Sequence, residues 1–272
     1  MQKILIPTDF SEIAREAARY AKKYVAANDA EFYVLHAYNQ PDSNNMLISI
    51  VDILKEESDK MLNDEAAFLQ KELGIPSDRI FLISVLGEVE DAIKKSVLKH
   101  HIDLVVMGTL GASGIKELLV GSNTVKVINA AHTPILAVPK MNEDVHLDTI
   151  VLALDNESID DEHRLKMVKE IADANDAELI LLHVSTRDEE LFCFNNHLQN
   201  KLRKFFGRME IECVSLKGKD VEQAINDFVW ENEIGMIVLL PHKMSLTQKL
   251  FGRRSLTKKI NFHSKIPVLS IG

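Results

Sequence analysis

Cysteines in any recognisable spacing, long apolar runs and bulk positive charge are all missing from the sequence of this chain of 272 residues. Its two cysteines, Cys193 and Cys213, stand in no CxxC or Cys/His spacing, so they are expected to be ordinary reduced thiols and not a metal site or a disulfide framework. No apolar run approaches the length of a membrane span, and Met1 leads straight into an apolar strand at Lys3–Ile6 with no signal peptide before it, which points to a cytoplasmic protein without a membrane partner. The formal net charge is −9, and an acidic chain is a poor candidate for holding nucleic acid by bulk electrostatics. A nucleotide site is not excluded, because it needs only local N–H donors and one or two cations. At 46% hydrophobic and 27% charged residues, the composition is that of a folded globular protein, and the length suits one large domain or two ordinary ones.

What the chain does have is an alternation of apolar runs and amphipathic stretches. Residues 3–7 form an apolar run ending at Thr8–Asp9. Ile13, Ala17, Ala18, Ala21, Tyr24 and Val25 then recur at helical spacing. Strands are expected at 31–36, 80–85, 104–107 and 134–138, with helices at roughly 46–73, 89–100 and 122–131 between them. Repeated strand–helix units give parallel strands with helical crossovers.

The pattern restarts at residues 149–154, which end at Asp155, and strands follow at 178–184, 211–216, 236–240 and 267–271, with a helix at 221–231. Gly108 matches Pro241, Ser122 matches Ser255 and Pro134 matches Pro267, all 133 residues apart, while Asp155 stands 146 residues after Asp9. This is an internal duplication whose second copy is about 13 residues shorter, mostly in the crossover after its second strand. The expected domains are 1–140 and 149–272, joined by the polar stretch 140–148.

One motif carries chemistry. Gly108-x2-Gly111-x9-Gly121-Ser122 follows the fourth strand. Glycines let backbone N–H groups approach phosphate oxygens, and a helix opening at Ser122 offers further unpaired donors. The chain contains neither GxxxxGK[ST] nor a GxGxxG after its first strand, so the P-loop and Rossmann fingerprints do not apply. With strand order 3-2-1-4-5, the crevice between strands one and four brings Thr8 and Asp9 opposite Gly108 and Gly111.

With these residues the chain resembles a tandem universal stress protein. The resemblance rests on the glycine spacing, on Ile6-Pro7-Thr8-Asp9-Phe10-Ser11, on Leu35-His36-Ala37, and on His132-Thr133-Pro134-Ile135-Leu136-Ala137-Val138-Pro139. It spans the first copy, and the second follows the same plan more loosely. The resemblance implies two doubly wound, mostly parallel five-stranded α/β sheets with helices on both faces, paired as an intramolecular pseudo-dimer through their fifth strands. It also implies site roles. Asp9 would lie beside adenine or ribose over a floor of Pro7 and Thr8, the backbone of Ala37 would meet the adenine edge, and Met107 and Gly108 would line the ribose. Gly111, Gly121, Ser122 and Asn123 would hold phosphates.

Plainer readings stand beside these. Asp9-x-x-Glu12 fits a capping box, Gly108 and Gly121 fit turn glycines, and Ser122 fits an N-cap. His36 fits a hydrogen-bonded residue at a strand end, and His100–His101 fits a helix C-terminus. The second copy reads Pro241-His242-Lys243-Met244 where the first reads Gly108-Thr109-Leu110-Gly111, and Arg254 replaces Gly121. Proline removes an N–H and the larger residues bring bulk, so the second cradle is expected to be lost. Lys243, Lys249, Arg253, Arg254, Lys258 and Lys259 gather near it, as a solvated face or as a surface for anions or acidic partners.

The expected function is binding of ATP, or of ADP or AMP, with or without Mg²⁺, by the first copy in a stress-response role. No catalytic set and no metal-ligand cluster stand out, so hydrolysis is expected to be slow at most. Protein partners are open, and a homodimer is compatible with the sequence. The rival readings are a nucleotide-independent interaction scaffold and a phosphate-transferring enzyme.

Overall fold

A computed structural model of the chain describes residues 1–39, 49–109, 133–141, 146–154, 163–185, 196–240 and 266–271. The chain divides into two compact units, Met1–Lys140 and Met141–Gly272.

In the first unit the strands are β1 (Lys3–Pro7), β2 (Glu31–Tyr38), β3 (Ile80–Leu86), β4 (Leu104–Gly108) and β5 (Ile135–Val138). All pair in parallel, and the order is 3-2-1-4-5: Lys3 faces Glu31, Phe32 faces Ile80, Ile4 faces Leu104 and Val105 faces Ile135. Ile4–Ile6, Phe32–Leu35 and Leu104–Met107 are buried throughout, as expected of parallel strands covered on both faces.

The connecting helices are α1 (Glu12–Tyr20), α2 (Ser49–Leu73) and α3 (Val89–His100). The path from β1 to β2 to β3 runs one way across the sheet and the return from β3 to β4 runs the other. Right-handed crossovers therefore put α1 and α2 on one face and α3 on the opposite face. On its face α1 presents Ala14, Ala17 and Ala18 to the sheet, all buried, and these small residues let the helix lie close to the strands. Its chain continues into a π-helical turn, Ala21–Val25, closed by the Ala26 N–H to Ala21 O bond at 2.7 Å.

Ion pairs join α1 to α2. Arg15 meets Glu65 at 3.0 Å, Arg19 meets Glu72 at 3.3 Å, and both guanidinium groups lie over the Phe68 ring. α3 ends as its sequence suggests, with Lys99 and His100 in its last turn and His101 at φ 54°.

The second unit repeats the plan with β6 (Thr149–Ala153), α4 (His163–Asn175), β7 (Glu178–Ser185), α5 (Asn196–Phe206), β8 (Ile211–Lys217), α6 (Val221–Glu231), β9 (Met236–Leu239) and β10 (Val268–Ser270). Its pairings give the same 3-2-1-4-5 order when counted from its own first strand. The two doubly wound sheets are thus those expected from the sequence. The second copy loses its length in the crossover after its second strand, which runs from Ser185 to Ile211 where the first copy runs from Tyr38 to Ile80.

The hydrogen bonds superimpose the two units more closely than the sequence does. Asp103 N–H to Lys3 O is repeated as Gly235 N–H to Thr149 O, and Val105 N–H to Pro134 O as Ile237 N–H to Pro267 O. The expected match of Pro134 with Pro267 therefore holds, but the fourth strands align one residue earlier than the gapless match requires. Leu104 corresponds to Met236 and Gly108 to Leu240. This corrects the pairing of Gly108 with Pro241. A backbone ladder is set by N–H and C=O spacing and is indifferent to which landmark residue stands beyond the strand end.

Candidate functional site: the crevice between β1 and β4

The chain leaves β1 through a turn built on short side chains. Thr8 is buried, its N–H donates to Leu35 O at 2.8 Å, and its Oγ1 accepts from Phe10 N–H at 2.9 Å. Asp9 Oδ1 accepts from Ser11 N–H at 3.1 Å, and Ser11 Oγ accepts from Ala14 N–H at 3.3 Å. Hydroxyls and carboxylates bonding to backbone two or three residues on are what stabilise such turns. The N-cap of α1 is therefore Ser11 and not Asp9, as the capping-box reading had it. Glu12 instead pairs with Arg19. The carboxylate of Asp9 remains solvent-exposed at the mouth of the turn.

Phe10 takes a positive φ of 63°, a conformation that costs a residue with a Cβ on the order of 1 kcal/mol. Its ring rests on His36, with centroids 4.5 Å apart. His36 Nδ1 shares a hydrogen bond of 2.8 Å with Ser58 Oγ, which shares another of 2.8 Å with Ser84 Oγ. Burial pushes the His36 imidazole below its ordinary value, and the charge of Asp9 pulls the other way. His36 is thus the hydrogen-bonded strand-end histidine that the sequence suggested. Its link through Ser58 to Ser84 was not expected, since nothing in a linear sequence joins positions on β2, α2 and β3.

Two backbone segments face the crevice. The last bond between β1 and β2 is that of Thr8 to Leu35, while Tyr38 O accepts from Gly87 N–H on the β3 side at 2.9 Å. Strand alternation then turns the N–H and C=O of Ala37 toward the β1 side, beyond the end of that strand. Across the crevice, Val105 and Thr109 both donate toward β5, to Pro134 O and Val138 O. Gly108 lies in the opposite phase, toward β1, and the preceding Met107 is buried.

At Gly108 a Cβ would stand 2.7 Å from Ile13 Cγ2, 3.0 Å from Ile13 O and 3.1 Å from Ile13 C. The glycine therefore lets the first turn of α1 sit directly over the end of β4. Pro7, Thr8, Asp9, Ala37, Met107 and Gly108 all lie at the carboxyl ends of β1, β2 and β4. The other four candidate residues, Gly111, Gly121, Ser122 and Asn123, lie outside the described residues, as do Asp155 and the chain from 241 to 265.

In the second unit the same ladder carries different side chains. Leu154 N–H donates to Leu182 O at 2.9 Å, in the place of Thr8 and Leu35. Leu154 and Leu240 are both buried, where the first unit has Thr8 and Gly108. Pro241 follows Leu240 in the chain and has no N–H with which to repeat the Thr109 bond. Among the described residues no group of three His, Cys, Asp or Glu side chains is gathered that would hold a metal ion, and no helix is long and apolar enough to cross a membrane.

The universal stress protein family matches residues 1–139. Two universal stress proteins of Methanocaldococcus jannaschii are similar to this chain. One is 32% identical over 150 residues, covering 53% of this chain and 85% of the relative. The other is 30% identical over 156 residues, covering 52% and 96%. The crystal structure of a universal stress protein from Archaeoglobus fulgidus aligns at 20% identity with a TM-score of 0.72, covering 98% of this chain and 95% of that one, a likeness of fold. With the doubly wound sheet, the strand-end turn and these matches together, the chain belongs to the universal stress protein family.

Proposed function

We propose that the first unit binds ATP or a related adenine nucleotide and that the second unit does not. The observation that carries this reading is the crevice between β1 and β4. There the backbone of Ala37, the exposed carboxylate of Asp9 and the close-packed backbone at Gly108 stand at the carboxyl ends of adjacent strands.

An adenine edge presents both a donor and an acceptor, which the N–H and C=O of Ala37 complement. Asp9 accepts from a ribose hydroxyl, Thr8 and Pro7 form the floor, and Met107 with Gly108 borders the sugar. The phosphates are assigned to Gly111, Gly121, Ser122 and Asn123 on the sequence motif alone. Mg²⁺ accompanies the phosphates where they bind it, and no protein carboxylate is assigned to it. The role is that of a cytoplasmic stress-response protein whose first unit carries the nucleotide and whose second serves interaction.

One observation favours a second reading. The missing Cβ of Gly108 is already accounted for by Ile13, so that glycine has a packing reason to exist without any ligand. A nucleotide-independent scaffold would keep it too. Mass spectrometry of the small molecules released on denaturing the purified protein separates the two readings. An adenine nucleotide near one equivalent supports binding, and no nucleotide there or in a millimolar ATP titration favours the scaffold.

A further inference from the structure

We infer that His36 is a positioning residue for the Thr8–Ser11 turn, held in place from the far side by Ser58 and Ser84. The inference rests on reading that turn as the nucleoside side of the site. Phe10 has the positive φ, so the turn needs support from outside itself. The His36 ring gives such support, with its centroid 4.5 Å from that of Phe10 and the rings tilted 54°. That ring is fixed in orientation by Ser58 on α2, and Ser58 by Ser84 on β3, at 2.8 Å each.

Either hydroxyl can donate or accept, so the chain of bonds stays closed in both neutral tautomers of the histidine. Ser58 is 1% exposed, and a buried hydroxyl is kept in place by the bonds it makes. The charge that faces His36 from the turn is Asp9. The ring therefore packs against Phe10 and lies within the field of the Asp9 charge.

The second unit provides an independent parallel. His183 occupies the same place on β7, and its Nδ1–H donates to Leu154 O at 3.1 Å, which is the backbone at the end of β6. In both units, then, the histidine of the second strand holds the exit of the first. In the second unit it does so by a direct bond. In the first it does so through Phe10, which leaves the backbone after Thr8 to the turn and its ligand.

The test uses the full chain and two readouts, ATP affinity by calorimetry and amide exchange of Phe10 and Ser11 in the ligand-free protein. Ser58→Ala changes volume little, removes both bonds to Ser58 and lies off the crevice. It is expected to weaken ATP about tenfold and to speed exchange of those two amides by a similar factor, the scale of one lost buried hydrogen-bond network. His36→Asn, which keeps a polar atom near Nδ1 but loses the ring, is expected to do the same. His36→Phe, which keeps the ring, is expected to recover part of the affinity.

Unchanged ATP affinity in Ser58→Ala and His36→Asn, with wild type binding normally, would overturn the positioning role and leave the nucleotide reading intact. If wild type binds no ATP, the nucleotide reading falls and the exchange rates decide the positioning role. Faster exchange in the variants sustains it, and unchanged exchange ends it.

Discussion

At the exit of its first strand the N-terminal unit carries Thr8, and the C-terminal unit carries Leu154. At the end of the fourth strand the pair is Gly108 and Leu240. The backbone bonds at the first-strand exit and the start of the fourth strand recur in both units, while Pro241 has no N–H to repeat the Thr109 bond, so the ladder is preserved where the side chains at its mouth differ. A β-ladder tolerates this because its energy resides in backbone groups and in the buried faces of the strands. The residues just past the strand ends are constrained only by what they touch. In the first unit they touch a polar turn and the start of α1, and in the second they are buried leucines. The second crevice thus keeps the frame of the first, with buried leucines where the first has Thr8 and Gly108.

The sharpest way to break this comparison is at the paired positions of the fourth strands. Leu240→Ala is expected to cost the second unit about 3 kcal/mol, the usual range for emptying a buried leucine site. Because two units need not unfold together, amide exchange in β9 and β6 is the measurement that reads it. A loss well under 1 kcal/mol would mean that Leu240 is not core and that the register equivalence with Gly108 misleads.

The reciprocal change, Gly108→Ala, is expected to destabilise the first unit by about 2 kcal/mol, since the new Cβ meets Ile13 backbone as well as its side chain. Chemical denaturation followed by β1 and β4 amides checks it. A neutral result would show that α1 can move aside.

The third contrast is chemical. Asp9→Asn is expected to lower ATP affinity about tenfold, the scale of one charge-assisted bond, and Asp155→Asn is expected to change nothing. Calorimetry on both variants sharpens or blurs the claim that one unit binds.

The smallest effect is an acid response confined to the first unit. Glu65 is the charged side chain found fully buried among the described residues. Burial holds its carboxyl above the usual carboxylate value, while its bonds to Arg15 oppose the shift. The folded state therefore favours the protonated form. This contribution to stability is full below the ordinary carboxylate value and is lost as pH rises through the raised folded value. Glu65→Gln is expected to flatten that slope in first-unit amides and to leave second-unit amides unchanged. Denaturation midpoints over roughly pH 4 to 7 would contradict it if wild type and variant ran parallel.

Much of the fold was legible because parallel strands are buried on both faces. Runs such as Leu104–Met107 and Met236–Leu239 announce themselves, and each is followed or preceded by a helix of 3.6 periodicity. The duplication was legible from landmarks such as Pro134 and Pro267. The one-residue difference between the fourth strands was not, since a match of prolines and serines carries no information on which carbonyl each N–H reaches. The cap of α1 could not be assigned from sequence for a related reason. Asp9, Ser11 and Glu12 all suit helix starts, and only the turn geometry, with Phe10 at positive φ, assigns the cap to Ser11. The tie between His36, Ser58 and Ser84 was invisible, because it joins three elements 22 and 26 residues apart along the chain. Of the candidate site, Pro7, Thr8, Asp9, Ala37, Met107 and Gly108 could be read as strand ends, and the fold sets them at the carboxyl ends of β1, β2 and β4, whereas Gly111, Gly121, Ser122 and Asn123 lie outside the described residues.

The central claim is one nucleotide per chain, and a calorimetric ATP titration tests it most directly, run on wild type beside a Gly111→Val, Gly121→Val double variant. The expected result is a single site per chain in wild type and its loss in the double variant. Two sites per chain, or binding that survives in the double variant, would contradict it.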